Sequence, residues 1–438
     1  ATRNDIGVVR RTVAEARTIM RMRERRFATE GIDSIATYRQ RKRDGDFGDD
    51  PFGDLFLVID GWLTIRNDFD DLEPAITELA SSGLGFGIHL IVACNRWMDF
   101  RPAIRDMFGT KLEMRLGDST DSMINRREAL NVPEGTPGRG LIPGPLHFLA
   151  GLPRIDGQQD PAHTAEGMTK LVQAVRNDWT GQDAPSVRLL PDLLPYEAIA
   201  PARAPSRGAI PIGIAESDLQ PVFLDFDAEP HCLLFGDVEA GKSSFLRSLA
   251  RGIVERFTPE QAKIMIIDHR RSLLGLINTP HLIGYGTAGP TSTALIAEAA
   301  QVMEKRLPGP DVTPEQLRNR SWYKGSDLYL LVDDYDLVAT QSSNPLLPML
   351  EYFAQGRDIG LHVIITRRVG GAGRAMFDPV ISRIRDLASP GILMSGPPDE
   401  GPLLGNIKPS LMPAGRGWLI TRRNGAGLVQ LAYTPPAQ

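Results

Sequence analysis

Short, continuous apolar runs alternate with longer amphipathic stretches along most of the chain. The apolar runs are LFLVI (55–59), IHLIVAC (88–94), HCLLFG (231–236), KIMIID (263–268), LYLLVDD (328–334) and LHVIIT (361–366). Runs of this length, bounded by Gly, Asp or Arg, are typical of strands that are buried on both faces. Residues 243–257 and 295–307 have helical periodicity. The alternation predicts an α/β fold with mostly parallel central sheets.

The sequence also repeats itself. Four blocks recur in the same order, at offsets of 273 to 280 residues: 54–60 (DLFLVID) with 327–333 (DLYLLVD), 87–92 (GIHLIV) with 360–365 (GLHVII), 105–106 with 385–386, and 138–140 with 415–417. An ordered series of this kind indicates two copies of one module.

A proline-rich segment, residues 181–211, lies between the two copies. Proline fixes φ and removes a backbone donor, so this segment is not a continuous helix or a central strand. We therefore predict the rear part of one module over residues 1–180, a semi-extended linker over 181–211 that lies against a module, and a complete module over 212–438.

Residues 236–243 (GDVEAGKS) fit the phosphate-binding pattern G-x-x-x-x-G-K-[ST]. The glycines let the backbone wrap a phosphate, and the helix that follows directs its positive end at the same anion. Lys242 is expected to reach the β- and γ-phosphates of ATP, and the hydroxyl of Ser243 to ligate Mg²⁺. The predicted nucleotide contacts are Gly236, Asp237, Val238, Glu239, Ala240, Gly241, Lys242, Ser243 and Ser244.

Two acidic residues end the predicted strand LYLLVDD. Asp333 is the candidate for the magnesium shell, and Asp334 is the candidate to polarise the attacking water. Asp is shorter than the Glu that many ATPases use there, so turnover is expected to be slow. The alternative is that Asp334 only caps the following turn. Thr366 is placed to touch the γ-phosphate or the water, although a structural role stays open. Arg367 and Arg368 follow it and are candidates for a phosphate or a neighbouring subunit.

The first module differs at the same positions. The repeat puts its phosphate loop before residue 1, so the sequence leaves open whether it exists. Asp60 matches Asp333, but Gly61 stands where Asp334 would be, and we expect poor water activation. Asn95 is predicted to take the place of Thr366. In ring-shaped motors one subunit also supplies a cation to the γ-phosphate bound by its neighbour. The candidates for this cation are Arg105, Lys111 and Arg385, and the sequence favours none of them.

Net charge, the positions of the cysteines and the length of the apolar runs limit the classes of function that the chain can have. The formal net charge of −5 argues against a protein that coats nucleic acid, so no nucleic acid partner is expected. Cys94 and Cys232 lie inside apolar runs, as core residues of a protein in a reducing compartment would. No apolar run approaches the roughly 18 residues that a membrane span needs. The first residues lack an initiator methionine, so we expect a fragment of a longer chain.

The P-loop with GKSS, the LLVDD strand and the DIGLHVIITRR segment together resemble the FtsK/SpoIIIE class of motor ATPases. Further segments resemble in particular the EccC-type motors of type VII (ESX) secretion systems: MRERRF (22–27), FLVIDGW (56–62), GTKLEMRLGD (109–118) and RLPGPDVTPEQLRNRSWYKGSDLYLLVDDYD (306–336). The resemblance covers nearly the whole chain, and its combination of segments is more specific than any segment outside the P-loop.

The resemblance implies tandem RecA-like P-loop modules that bind ATP and Mg²⁺, here the rear of the second and the whole of the third. It implies a homo-hexameric ring at the cytoplasmic face of the cell membrane, joined to other membrane components of the ESX complex. Its substrates are small helical-hairpin proteins of the WXG100 (Esx) or PE/PPE type, recognised through a C-terminal signal by the last ATPase domain.

Three functions compete at this stage. The first is an ATP-driven export motor for helical proteins, with hydrolysis possible but slow in these modules. The second is an FtsK-like double-stranded DNA translocase, which the net charge disfavours. The third is a nucleotide-gated platform that docks substrates with negligible turnover. Phosphate release by the purified protein separates the first from the third.

Overall fold

The computed structural model describes residues 5–340 and 343–437, and the chain forms two compact units, residues 1–188 and 189–438. The boundary lies inside the proline-rich segment, and the part of that segment from residue 189 onward belongs to the second unit. None of the described helices combines the length and the apolar composition that a membrane span requires. Cys94 and Cys232 are both free thiols.

The first unit contains seven α-helices and five strands among its described residues. The helices are α1 (Ile6–Glu30), α2 (Ile35–Arg43), α3 (Trp62–Asp68), α4 (Glu73–Ser82), α5 (Pro102–Arg105), α6 (Arg126–Leu130) and α7 (Thr164–Asp178). The strands are β1 (Leu55–Asp60), β2 (Ile88–Ala93), β3 (Glu113–Met114), β4 (Arg139–Ile142) and β5 (Leu146–Leu149). β1 pairs with β2 in parallel, and β3, β4 and β5 form a separate antiparallel sheet.

The sheet of β1 and β2 is covered on one face only. Leu57 and Ile59 lie in a core with one face of α1, whereas Phe56 and Val58 on the opposite face are 60% and 62% exposed. In the second unit the residues 273 positions later, Tyr329 and Leu331, are 1% and 0% exposed. In the second unit Tyr329 and Leu331 belong to an apolar cluster that includes residues of α8.

The second unit is built on ten strands. They are β6 (Ala209–Ala215), β7 (Pro221–Asp225), β8 (His231–Phe235), β9 (Ala262–Asp268), β10 (Leu282–Gly286), β11 (Asp327–Asp333), β12 (Leu361–Arg367), β13 (Gly391–Met394), β14 (Arg416–Thr421) and β15 (Gly425–Leu431). The helices are α8 (Lys242–Arg256), α9 (Gly289–Arg306), α10 (Pro314–Asn319), α11 (Tyr335–Val338), α12 (Gly356–Ile359), α13 (Ala372–Ala375) and α14 (Pro379–Asp386).

These strands form one sheet in the order β10-β9-β11-β12-β8-β13-β14-β15-β6-β7. The strands from β10 to β13 are parallel, as predicted, and the other four extend the sheet with antiparallel pairs. Apolar clusters cover both faces, one of them with α8 and the other with α9 and α14. The six apolar runs singled out in the sequence are β1, β2, β8, β9, β11 and β12.

Parallel strands place their carboxyl ends at one edge of a sheet, where ligands of α/β proteins bind. β8, β11 and β12 therefore bring the P-loop, Asp333 and Thr366 to the same edge. β12 lies between β11 and β8, so the strand that ends in Asp333 is not a direct neighbour of the strand that leads into the loop.

Candidate nucleotide-binding site

The loop between β8 and α8 is held by backbone hydrogen bonds to three neighbouring segments. Gly236 N donates to Arg367 O at 3.0 Å, Asp237 N donates to Ser395 O at 2.8 Å, and Gly415 N donates to Ala240 O at 2.8 Å. Gly241 has φ 114°, which only glycine adopts readily. The chain can therefore turn sharply from the loop into the first residue of α8.

Three oxygen groups meet at the start of α8. Ser243 Oγ donates to Asp333 Oδ2 at 2.6 Å, and Thr366 Oγ1 donates to Asp333 Oδ1 at 2.6 Å. Asp333 is buried. Burial raises the pKa of the Asp333 carboxyl above its usual value, and the hydrogen bonds from Ser243 and Thr366 offset part of that rise. A buried carboxylate with only neutral donors is a site that a cation would stabilise.

Asp334 lies between two cations. Its Oδ2 is 2.7 Å from Arg270 Nε, and its Oδ1 is 3.4 Å from Lys242 Nζ. Oδ1 is buried and accepts no hydrogen bond from the described residues. Lys242 Nζ is near enough to form an ion pair with it, but the two groups do not have the geometry of a hydrogen bond. Although Asp334 precedes α11, its side chain makes no capping hydrogen bond. The carboxylate therefore faces the P-loop lysine instead of serving the turn.

The backbone of Asp334 is also bound at this site. It has φ 46°, an unusual conformation for a residue other than glycine. Asp334 N donates to Thr366 Oγ1 at 3.1 Å. Strain at such a position persists where surrounding contacts enforce it, and it is common at functional sites.

The remaining residues at the loop differ in what surrounds their side chains. Lys242 Nζ donates to Asp237 O at 3.0 Å, so the lysine already lies across the loop. Val238 and Glu239 are exposed at its tip. Ser244 differs from Ser243, because its Oγ accepts from Thr434 N at 3.2 Å and points away from Asp333.

Comparison with known proteins agrees with this geometry. The sequence model of the FtsK/SpoIIIE family matches residues 1–156 and 200–317. The chain belongs to this family. Among FtsK/SpoIIIE proteins, the ESX secretion system protein EccC of Thermomonospora curvata is 52% identical over 433 residues, which cover 99% of this chain and 33% of that protein. The chain thus spans about a third of that relative's length.

Two further relatives support the EccC-type branch of the family. The ESX-1 secretion system protein EccCb1 of Mycolicibacterium smegmatis is 35% identical over 453 residues, covering 100% of this chain and 75% of that protein. A solved structure of T. curvata EccC (ATPases 2 and 3) in complex with a signal sequence peptide matches with a TM-score of 0.93 and 51% identity. That match covers 99% of this chain and 78% of the other.

The first unit keeps only part of the same arrangement. Asp60 ends β1 as Asp333 ends β11. Gly61 has φ 87° and precedes α3, so the position after the aspartate is left-handed in both units. The register pairs Asp60 with Ala93. Ala93 therefore stands in the place of Thr366, and the prediction of Asn95 is wrong by two positions.

Arg270 was not predicted from the sequence. It follows β9, and its backbone N donates to the buried carboxylate of Asp268 at 3.0 Å. Its position just after a parallel strand was the available signal. By contrast, Arg367 donates to the carbonyls of its own turn, at Arg368, Gly370 and Gly371.

The other cations predicted near a phosphate or a neighbouring subunit have local partners where the structure records one. Arg368 lies 3.7 Å from Asp336. Arg105 and Arg385 each form an ion pair with the aspartate that follows in sequence, at 3.2 Å and 3.4 Å. Nothing in these contacts singles out a residue for a neighbouring subunit.

Proposed function

We propose that residues 189–438 bind ATP with Mg²⁺ and form a nucleotide-responsive module of a type VII secretion motor. The observation that carries this proposal is the meeting of Ser243, Asp333 and Thr366 beside Lys242. Carboxylate and hydroxyl oxygens suit Mg²⁺, and among the described residues the hydrogen bonds to the buried carboxylate come from the neutral hydroxyls of Ser243 and Thr366.

In this proposal the backbone of residues 236–241 surrounds a phosphate, and Lys242 exchanges Asp334 for the β- and γ-phosphates. Ser243 and Asp333 hold Mg²⁺, which when bound neutralises charge on the phosphate oxygens. Thr366 and Asp334 orient the water that attacks the γ-phosphate. We expect hydrolysis to be slow, because the ion pair with Arg270 at 2.7 Å occupies one of the two oxygens of Asp334.

The relatives support a role in secretion. We propose that the chain works on the cytoplasmic face of the membrane in a homo-hexameric ring, together with the membrane components of an ESX complex. Its substrates are secreted helical hairpins of the WXG100 (Esx) or PE/PPE type, and the module in residues 212–438 binds their C-terminal signal. The T. curvata relative in complex with a signal sequence peptide supports this assignment.

One observation favours a second candidate, a docking platform with negligible turnover. Asp334, the residue next to Asp333, is paired with Arg270 at 2.7 Å, and the first unit has Gly61 at the corresponding position. In such a platform ATP binding, rather than hydrolysis, would control the docking of substrates.

Calorimetry with ATP and Mg²⁺ tests the proposal. Lys242→Ala is expected to abolish binding, and Lys305→Ala, which removes an exposed lysine on α9, is expected to leave it unchanged. Equal affinity in the two variants would refute the nucleotide site. Phosphate release at the background rate from unsubstituted protein that binds ATP would select the platform, and release that rises with double-stranded DNA would select a DNA translocase.

A further inference from the structure

A cavity of about 300 Å³ lies in the second unit, at the edge of the sheet opposite the P-loop. It reaches Asp327, the first residue of β11, whereas Asp333 ends the same strand at the nucleotide edge. The lining combines carboxylates with aromatic rings: Asp227, Phe257, Glu260, Tyr323, Asp327 and Tyr329. The volume is at the lower end for small-ligand sites, so it suits a group about the size of one side chain.

The surroundings of Asp327 recur in the first unit at the offset of 273 residues. In each unit an aspartate lies at the start of a strand, a histidine of the neighbouring parallel strand approaches its carboxylate, and an aromatic ring stacks on that histidine. The carboxylate–imidazole distances are 3.1 Å in the first unit and 3.9 Å in the second, and the ring centroids lie 4.6 Å and 4.5 Å apart. The corresponding residues are Asp54, Phe56 and His89 in the first unit, and Asp327, Tyr329 and His362 in the second.

In the first unit this aspartate holds a guanidinium group. Arg39 Nε donates to Asp54 Oδ1 at 2.9 Å, and Arg39 Nη2 donates to Asp54 Oδ2 at 2.5 Å, so the pair is bidentate. In the second unit the carboxylate of Asp327 has no arginine or lysine nitrogen within 4.0 Å among the described residues. Its side chain is 37% exposed and lines the cavity. The carboxylate that binds a guanidinium in the first unit thus faces an open cavity in the second.

Tyr329 supplies a second acceptor in the same wall. Its side chain is 1% exposed, and among the described residues its hydroxyl has no hydrogen-bond partner. Burial raises the pKa of this hydroxyl, and the charges of Asp327 and Asp227 raise it further. Both carboxylates line the cavity, so the hydroxyl lies on the cavity side. Its oxygen can accept a hydrogen bond from an N–H group, and the aromatic rings of the lining offer faces on which a guanidinium stacks.

Two arginines of the chain also line the cavity, but neither fills this place. Arg207 lies over the ring of Phe257, 6.0 Å from its centroid, and Arg320 has φ 48°, an unusual value for a residue other than glycine. Neither forms an ion pair with a carboxylate of the described residues. The lining holds one more carboxylate than guanidinium. One added cation would therefore balance its charge.

We propose that the cavity binds the guanidinium group of an arginine, with Asp327 as the bidentate acceptor and the hydroxyl oxygen of Tyr329 as a further acceptor. The arginine belongs to a partner polypeptide or is the free amino acid, since both present the same group. Arginine is favoured over lysine, because its planar fork matches a carboxylate at two points. The site is independent of nucleotide binding, because it lies at the opposite edge of the sheet from Lys242.

Calorimetry with N-acetyl-L-arginine amide and with free L-arginine tests the site and distinguishes the two sources. The tighter ligand, with a Kd of about 1 mM, identifies the source, and the corresponding lysine compounds are expected to bind at least about tenfold more weakly. Asp327→Asn is expected to weaken arginine binding about tenfold, and Tyr329→Phe about threefold. Glu315→Gln is the matched control, because Glu315 is exposed on α10 and does not line the cavity. Lys242→Ala is expected to leave arginine binding unchanged, which separates this site from the nucleotide site.

Absence of binding by either arginine compound to the unsubstituted protein would overturn the site, and so would equal affinity for arginine and lysine. Unchanged affinity in folded Asp327→Asn would also overturn it. Should that variant not fold, Arg320→Gln and Tyr329→Phe decide the question. Arg320→Gln removes a like charge from the lining and is expected to tighten arginine binding several-fold. Unchanged affinity in both of these variants would contradict the proposal.

Discussion

Arg270 Nε lies 2.7 Å from Oδ2 of Asp334, the carboxylate that we propose to orient the attacking water. Lys242 approaches the other oxygen of the same carboxylate at 3.4 Å. Bound phosphate would draw Lys242 away, but Arg270 would remain. The ion pair occupies Oδ2, an oxygen that would otherwise be able to accept a hydrogen bond from the attacking water. This contact supports the proposal that turnover is slow although the P-loop is complete.

Arg270→Gln is therefore expected to raise the rate of ATP hydrolysis. We expect kcat to increase about tenfold, a small part of the effect of a general base, with little change in KM. Arg271→Gln is the control, because Arg271 is an exposed neighbour on the same loop. Arg270→Lys would restore the clamp and the slow rate. A fall in kcat would show instead that Arg270 stabilises the transition state.

Asp333→Asn is expected to stabilise the protein without nucleotide. The folded pKa of Asp333 is raised by burial, so the ionised carboxylate costs stability at pH values above that pKa and costs none at pH values below its usual value. Asparagine removes this cost because it carries no charge at any pH. Thermal unfolding would show a higher Tm for the variant, which Mg²⁺ with ATP no longer raises further. A lower Tm without ligand would contradict the burial argument.

His231 predicts an acid-sensitive core. Burial lowers the pKa of this imidazole to about 4, and the neutral ring is held because Val363 N donates to Nδ1 while Nε2 lies 2.9 Å from Phe353 O. The unfolded chain takes up the proton near pH 6.5, so this contribution is complete above that pH and is lost as the pH falls toward 4. The loss amounts to about 3 kcal/mol.

Denaturant unfolding between pH 7 and pH 4 measures this effect. The unsubstituted protein is expected to lose stability relative to His231→Gln over that range. His147→Gln, at a partly exposed histidine, is expected to follow the unsubstituted protein. Parallel pH profiles for all three proteins would contradict the assignment.

Gly241→Ala is expected to disable the phosphate loop. Gly241 has φ 114°, a conformation that destabilises the fold by roughly 1–3 kcal/mol when the residue has a Cβ. The Cβ of alanine would also lie 3.3 Å from Gly415 N. ATP affinity is expected to fall at least about tenfold. Gly370→Ala serves as control, because no atom lies within 4 Å of its added Cβ and its φ is not positive. Equal ATP affinity in both variants would mean that the loop tolerates the change.

Local patterns carried the prediction of the parallel half of the fold. Each buried strand is a continuous apolar run, and the polar residue that ends it marks the site edge, as at Asp333 and Thr366. The antiparallel half was not predicted. β15 (GAGLVQL) begins with small residues, so it lacks the continuous apolar run from which the parallel strands β8, β9, β11 and β12 were predicted.

Long-range contacts account for what the sequence analysis missed at the site. Arg270 reaches Asp334 through a flexible side chain, which no periodicity encodes. Tyr433 meets Leu194 across more than half of the chain, and only the completed sheet brings them together. Asn95 was predicted without knowledge of where β2 ends. The register of β1 and β2 pairs Asp60 with Ala93, and this pairing identifies Ala93 as the residue that corresponds to Thr366.

The central claim is that one magnesium-bound triphosphate occupies the corner formed by Lys242, Ser243 and Asp333. A crystal structure with Mg²⁺ and a non-hydrolysable ATP analogue tests it most directly. We expect the metal about 2.1 Å from Ser243 Oγ, the phosphates within the loop of residues 236–243, and Lys242 released from Asp334. A nucleotide bound elsewhere, or a metal remote from both Ser243 and Asp333, would contradict the account.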